Sequence, residues 1–139
     1  MEFETYQQQA HTNPVKGIVT LCGSHRFKDT FERVAQELGM KYWIVLRPAF
    51  YVDAHTYIDN SPKTALDIVH LAKINLSEAI IVINNDYPPI HNPSYIGQST
   101  KREIEYARNN YKRVFWLVPS KEWLPDEKTF ADFNQMYNK

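Results

Sequence analysis

Apolar residues along the chain form short runs that alternate with stretches of helical spacing. Four β-branched or apolar runs predict buried strands, and they lie in "KGIVTLCGS", "KYWIVLRP", "AIIVINND" and "RVFWLVP". Between them, helices are predicted in "RFKDTFERVAQELGM" with Gly39 as the C-terminal stop, from about Ser61 to residue 79, and over residues 99–110.

The order β-α-β-α-β-α-β predicts a single-domain α/β fold of the Rossmann-like (flavodoxin-like) type, a mostly parallel sheet with helices on both faces. Residues 16–139 form the domain in this interpretation, and residues 1–15 are expected to be a flexible arm. Ligands in such folds bind beyond the carboxyl ends of the strands. The loops "CGSHRF" and "NNDYPPIHNPSYIGQST" are predicted to lie at that edge, so we expect the site between them.

Composition narrows the possible functions. Sixteen Lys and Arg residues balance sixteen Asp and Glu residues, which argues against binding of a nucleic acid polymer. Cys22 is the only cysteine, so neither an internal disulfide nor a cysteine-based zinc site is expected. His25, His55 and His91 lack ligand spacing with a carboxylate pair, and we predict no metal and no cofactor. No signal peptide or run of ~18 apolar residues is present, so a soluble cytoplasmic protein without membrane contact is expected.

Two interpretations of "CGSHRF" remain open. Gly23 allows a sharp turn and close approach of the backbone to a ligand, Ser24 offers a hydroxyl, and Arg26 could pair with a phosphate or carboxylate. A simple Gly-Ser turn with a helix N-cap accounts for the first two residues without a ligand. The segment is neither a P-loop nor a GxGxxG fingerprint.

Glu103 in "GQSTKREIEYA" also has two interpretations. The spacing from Thr100 to Glu103 is that of a capping box. Alternatively, a carboxylate in the first turn of this helix faces the cleft, where the helix N-terminus would favour the ionised form that a nucleophile requires. Glu105 lies about 200° around the helix and is expected to face elsewhere.

Three segments together resemble the nucleoside 2-deoxyribosyltransferase superfamily, which includes the 2'-deoxynucleoside 5'-phosphate N-hydrolases. They are "CGS" after the first strand, "LSEAIIVIN" at the third, and "G-x-S-T-x-x-E-I-x-Y-A", and the resemblance spans roughly residues 17 to 118. Family members have a glutamate nucleophile at an "E-x-G-x-A" helix start, which corresponds to Glu103 in "EIEYA". Glu105 replaces the usual glycine, a departure that either narrows the pocket or faces solvent.

The resemblance implies that Glu103 attacks C1' of a (deoxy)ribosyl N-glycoside and that water or a second base takes the sugar. The family's carboxylate on the preceding helix corresponds to His70, with Asp67 one turn earlier. A histidine there could protonate the leaving base near neutral pH, or it could be a partly exposed residue paired with Asp67. The residues expected to bind substrate are Cys22, Gly23, Ser24, His25, Arg26, Phe27, Asn84, Gly97, Ser99 and Thr100.

Several functional alternatives remain. Ser24, Arg26, Ser99 and Thr100 match the phosphate-binding chemistry of the N-hydrolases, which favours a nucleotide over a nucleoside. Tyrosines in the loop 85–97, with Tyr51 and Tyr57, are either structural or stack on a base. A non-catalytic nucleotide-binding module and cleavage of NAD or a riboside phosphate are the competing functions, although the related "PGGxGT" motif is absent. The predicted helix 62–77 is apolar around most of its circumference, which predicts a homodimer or higher homo-oligomer.

Overall fold

The computed structural model describes residues 2–12, 14–49, 61–83 and 97–117. The helices and strands follow one another along the chain as α1 (Phe3–His11), β1 (Gly17–Gly23), a 3-10 turn (His25–Phe27), α2 (Lys28–Met40), β2 (Trp43–Leu46), α3 (Ser61–Leu76), β3 (Ala79–Ile83), α4 (Gln98–Asn109) and β4 (Arg113–Leu117).

The four strands form one parallel sheet in the order β2-β1-β3-β4. Each pair of successive strands is joined through a helix, which confirms the predicted α/β fold. Strand β1 pairs with β2 on one side and with β3 on the other. The direction in which successive strands are added across the sheet therefore reverses between β1 and β3. Cys22 pairs in register with Val82 at this point, and Gly23 pairs with Ile83. The carboxyl ends of these two strands therefore form the crevice at which such sheets bind ligands.

Alternation along β1 and β3 builds a separate core on each face of the sheet. Val19 and Leu21 face α2, whereas Cys22 faces α3 and α4. The first core consists of Val19, Leu21, Phe27, Phe31, Val34, Leu38, Trp43, Ala79, Ile81 and Ile83. The second consists of Cys22, Ile74, Ile80, Val82, Ile104 and Ala107. Helices therefore cover both faces, as predicted.

The end of α2 differs from the prediction. The helix passes through Gly39 and ends at Met40, and the left-handed position beyond it is taken by Tyr42, with φ of 70°. Tyr111 adopts the same conformation after α4, with φ of 60°. The prediction that Gly39 ends helix α2 is therefore wrong. The turn is closed instead by hydrogen bonds from the amides of Lys41 and Tyr42 to the carbonyls of Leu38 and Gly39.

The predicted N-terminal arm contains a helix that the sequence analysis missed. Helix α1 has no buried residue, and its largest apolar side chains, Phe3 and Tyr6, are exposed. The tyrosines considered for base stacking lie outside the described residues. Within the described ranges, none of the helices has the length and apolar character required to cross a bilayer.

Gly23 is predicted to be essential for stability. Its φ is +150°, and a Cβ atom would lie 2.5 Å from the backbone carbonyl oxygen of Ile83. We expect Gly23→Ala to lower the free energy of unfolding by about 2 kcal/mol, because both the strained backbone and the clash oppose the side chain. Gly39→Ala is the matched control, since a Cβ there meets nothing within 4 Å and alanine favours helix. Urea unfolding measures both, and equal stability of the two variants would contradict this prediction.

Candidate active site

Three ionisable side chains converge at the carboxyl end of β1. Cys22 comes from β1, His70 from α3 and Glu103 from α4. The Nε2 atom of His70 lies 3.1 Å from Oε1 of Glu103 and 3.5 Å from Sγ of Cys22. The structure thus brings together Glu103, His70 and Cys22, all of which the sequence analysis had named as candidate site residues.

The helical spacing of buried residues directs the side chains of His70 and Glu103 toward the sheet. On α3, His70 and Ile74 are one turn apart and both are buried, with 5% and 0% exposure. On α4, Glu103 lies beside the buried residues Thr100, Ile104 and Ala107. A hydrogen bond of 2.7 Å from Asn75 Nδ2 to the Tyr106 hydroxyl joins the two helices. Packing of apolar neighbours therefore fixes the position of the polar pair.

The capping-box interpretation of Glu103 is wrong. Helix α4 has Gly97 as its N-cap, without a side-chain capping hydrogen bond, and begins at Gln98. Thr100 is therefore the third residue of the helix and is 6% exposed. Glu103 lies in the second turn, and its carboxyl group faces His70 across the space between two helices. Glu105 is exposed, as expected.

Burial controls the protonation of the His70–Glu103 pair. Burial raises the pKa of Glu103 from 4.5 to about 7, with a further rise from Asp67 and an opposing effect of Lys63. Desolvation therefore outweighs the effect expected from the helix N-terminus, and Glu103 is ionised in only part of the molecules near pH 7. Burial and the nearby Lys73 lower the pKa of His70 to about 4, against an opposing effect of Asp67. This lowered pKa argues against His70 as the proton donor to a leaving base near pH 7, and a catalytic role of His70 stays a prediction.

Each member of the pair has one buried atom without a hydrogen-bond partner among the described residues. These atoms are Nδ1 of His70 and Oε2 of Glu103. A buried polar atom without a partner is costly, so each such atom in a folded protein calls for a specific explanation. The Cys22 side chain is fully buried. Burial raises the pKa of its thiol well above the ordinary value, and the Glu103 carboxylate raises it further.

Asp67 does not join this cluster by direct contact. Its carboxylate is exposed and pairs with Lys63 Nζ at 2.8 Å, one turn earlier on α3. The alternative of a partly exposed His70 paired with Asp67 is therefore wrong, because His70 is buried and contacts Glu103. The Lys63–Asp67 pair has the common i, i+4 spacing but was not identified from the sequence.

The predicted substrate loop has the geometry of the ligand-free interpretation. The Ser24 hydroxyl oxygen accepts a hydrogen bond of 3.4 Å from the Arg26 amide, as an N-cap does. His25 and Arg26 are exposed, and the Arg26 guanidinium stacks 4.7 Å from the centre of the Phe27 ring. Phe27 itself belongs to the core facing α2. Its prediction as a substrate-binding residue is therefore not supported by its position.

The remaining residues that were predicted to bind substrate differ in their exposure. Gly97 precedes α4 with ordinary negative φ, and a Cβ atom there would meet nothing within 4 Å. Ser99 is exposed, whereas Thr100 points into the protein. Asn84 lies outside the described residues. Binding of substrate by these groups stays a prediction.

Helix α3 carries an exposed apolar surface. Ile68, Val69 and Leu76 are 62%, 49% and 68% exposed. This agrees with the apolar pattern that led to the prediction of a homo-oligomer. Oligomerisation itself stays a prediction, which the molar mass in solution would test.

Comparisons with known proteins find similar folds at low sequence identity. No protein-family model matches the chain, and no curated protein sequence matches it. A 2-deoxyribosyltransferase from the bacterium Bacillus psychrosaccharolyticus aligns with a TM-score of 0.57 and 15% identity, over 88% of this chain and 91% of that one. A 2-deoxyribosyltransferase from Leishmania mexicana aligns with a TM-score of 0.53 and 15% identity, over 74% of this chain and 65% of that one.

A CMP N-glycosidase from Clostridium botulinum aligns with a TM-score of 0.46 and 19% identity, over 76% of this chain and 71% of that one, which is too distant to support an inference. The chain thus has the α/β fold of the two 2-deoxyribosyltransferases. That fold is the one expected from the sequence motifs.

Proposed function

We propose that the protein cleaves the N-glycosidic bond of a (deoxy)nucleoside or its 5'-monophosphate, with Glu103 as the nucleophile. The observation that carries the proposal is the asymmetry of the Glu103 carboxyl group. Its Oε1 atom lies 3.1 Å from His70 Nε2, whereas Oε2 has no partner among the described residues. One oxygen is held in place, and the other, which is buried, has no hydrogen bond that would compete with a bond to substrate.

The location of Glu103 supports this role. The Glu103 carboxylate lies within 4.8 Å of Cys22 Sγ, near the carboxyl end of β1. The strand order reverses between β1 and β3, and ligands of open parallel sheets bind at such a point. The two similar structures with this fold are named as 2-deoxyribosyltransferases. Such enzymes break and form bonds at the sugar C1' atom, which is the reaction that a positioned carboxylate can perform.

The proposed reaction has two steps. The ionised Oε2 of Glu103 forms a bond to C1' while the bond from C1' to the base nitrogen breaks, and its electron pair leaves with the base. The base takes up a proton from solvent, because His70 is neutral at pH 7. Water then attacks C1', the ester bond to Oε2 breaks, and the carboxylate is regenerated with release of the sugar and one proton. A second base in place of water gives transfer.

His70 acts as a positioning residue in this reaction. Its Nε2 atom holds Oε1 of Glu103, which fixes the orientation of the carboxyl group toward the crevice. The raised pKa of about 7 for Glu103 also makes the carboxylate more basic than an ordinary one. A more basic carboxylate is a stronger nucleophile once it is ionised, but it is ionised in only part of the molecules at neutral pH.

The test is a panel of ribo- and deoxyribonucleosides and their 5'-monophosphates, with free base measured by chromatography. We expect base release from at least one member, and faster release at about pH 8 than at about pH 6, because ionisation of Glu103 activates the nucleophile. Addition of a second base distinguishes transfer from hydrolysis. Tight nucleotide binding without release of base from any member would contradict the proposal and favour a binding module.

A further inference from the structure

A second chemical capacity follows from the composition of the cluster. Cys22, His70 and Glu103 each offer one metal-ligating atom, and these three atoms lie within 4.8 Å of one another. Sulfur, imidazole nitrogen and carboxylate oxygen form the mixed set of ligands that binds zinc and similar cations. The sequence-based expectation of no metal considered other histidines and did not place His70 beside Cys22 and Glu103.

We propose that Cys22, His70 and Glu103 form a binding site for one thiophilic divalent cation of the zinc class. This inference does not depend on the proposed glycosidic reaction. Zinc bonds of ~2.0–2.3 Å in a tetrahedral arrangement separate neighbouring ligand atoms by roughly 3.3–3.6 Å. The observed 3.5 Å from Cys22 Sγ to His70 Nε2 and 3.1 Å from Nε2 to Glu103 Oε1 are close to those separations. The third separation, from Cys22 Sγ to the Glu103 carboxylate, lies within 4.8 Å and would shorten by up to about 1 Å on binding of the cation.

The hydrogen bonding of the cluster supports a ligand independently of these distances. His70 Nε2 faces both the thiol and the carboxyl group, but one ring nitrogen has either a single proton or a single lone pair for them. At the same time, the buried Oε2 of Glu103 lacks a partner among the described residues. A cation at the point where the three ligand atoms meet would bind the Nε2 lone pair and could also bind both carboxylate oxygens.

Access and charge are compatible with such a cation. The Glu103 side chain is 16% exposed, so the cluster reaches the surface on that side. Coordination displaces the proton of the Cys22 thiol into solvent, and the bound cation stabilises the thiolate in a buried position. A thiolate and a carboxylate together neutralise a divalent cation. Water would supply the fourth ligand.

Cobalt is the probe, because thiolate-to-cobalt charge transfer absorbs in the near ultraviolet and Cys22 is the only cysteine in the chain. Titration of the purified protein with Co²⁺ is expected to give this absorption with a stoichiometry of one ion per chain, and Zn²⁺ should abolish it by displacing the cobalt. Cys22→Ser should remove the absorption. His70→Ala and Glu103→Gln should each weaken binding by more than the roughly 10–100-fold that loss of an outer-sphere partner causes.

His11→Ala is the matched control, because His11 is an exposed histidine on α1 away from the cluster. It should bind cobalt as the wild type does, and circular dichroism establishes that each variant is folded. Absence of the charge-transfer absorption in wild type at millimolar cobalt would overturn the proposal. Unchanged affinity in both His70→Ala and Glu103→Gln would overturn it as well, since it would place the ion at Cys22 without the other two ligands.

Discussion

Glu103→Gln is expected to abolish release of base from any substrate that the wild type cleaves. Glutamine retains the size of the side chain and can still hydrogen bond to His70, but its amide oxygen cannot form a stable ester with C1'. Loss of a nucleophile that acts with a positioning group typically lowers the rate by about 10³-fold or more. Chromatographic measurement of free base under saturating substrate gives the rate, and nucleotide binding measured by calorimetry establishes that the crevice is intact.

Glu105→Gln provides the matched control for this measurement. Glu105 lies two residues further along the same helix and is exposed, so the change removes the same formal charge without touching the cluster. Its rate of base release should equal that of the wild type. If Glu103→Gln retained a rate within about threefold of Glu105→Gln, a difference smaller than about 1 kcal/mol in activation free energy, Glu103 would not be the nucleophile.

The sheet was predictable because each strand has a local signature. The β3 run from Ala79 to Ile83 is buried at every position, and a central strand covered on both faces needs a continuous apolar run. Alternation of strands with helical spacing then leaves few possible topologies. The fold could therefore be predicted from patterns that involve only neighbouring residues.

The contacts of the site were not predictable in the same way. The distance from His70 to Glu103 depends on how α3 packs beside α4, and it also depends on α4 beginning at Gln98 rather than after Thr100. The sequence analysis identified both residues but not the direction of their pKa shifts, because the degree of burial decides those shifts. Cys22 was identified as a substrate-binding residue but not as a neighbour of His70 and Glu103. Strand alternation places Cys22 on the face of the sheet that α3 and α4 cover, which is also the face of His70. This alternation was the sequence signal from which the proximity of Cys22 to His70 could have been predicted.

Glu103→Gln is also expected to stabilise the folded protein at alkaline pH. The pKa of Glu103 is raised in the fold from 4.5 to about 7, so the native state binds more protons than the unfolded chain between these values. The wild type therefore loses stability as pH rises through this window, and the full loss is present above about pH 7. A shift of this size corresponds to about 3 kcal/mol. Glutamine has no charge to desolvate and avoids the loss.

Urea unfolding at about pH 5 and about pH 8 measures this effect as a difference between variant and wild type. Near pH 5 the two should be similar in stability, whereas at pH 8 the variant should be more stable. The lowered pKa of His70 acts in the opposite direction, because it makes stability rise with pH between about 4 and 6.5. At pH 8 this histidine is neutral in the folded and unfolded states of both proteins, so it adds no pH dependence to the difference there.

Glu105→Gln again serves as the control, and an exposed change of this kind should alter stability by less than about 0.5 kcal/mol at both pH values. A Glu103→Gln variant that is no more stable than the wild type at pH 8 would show that the carboxylate is not desolvated. The expected gain in folding stability bears on the function of Glu103. An ionised glutamate in this position destabilises the fold, and a protein that needed only a helix there would be more stable with a neutral side chain.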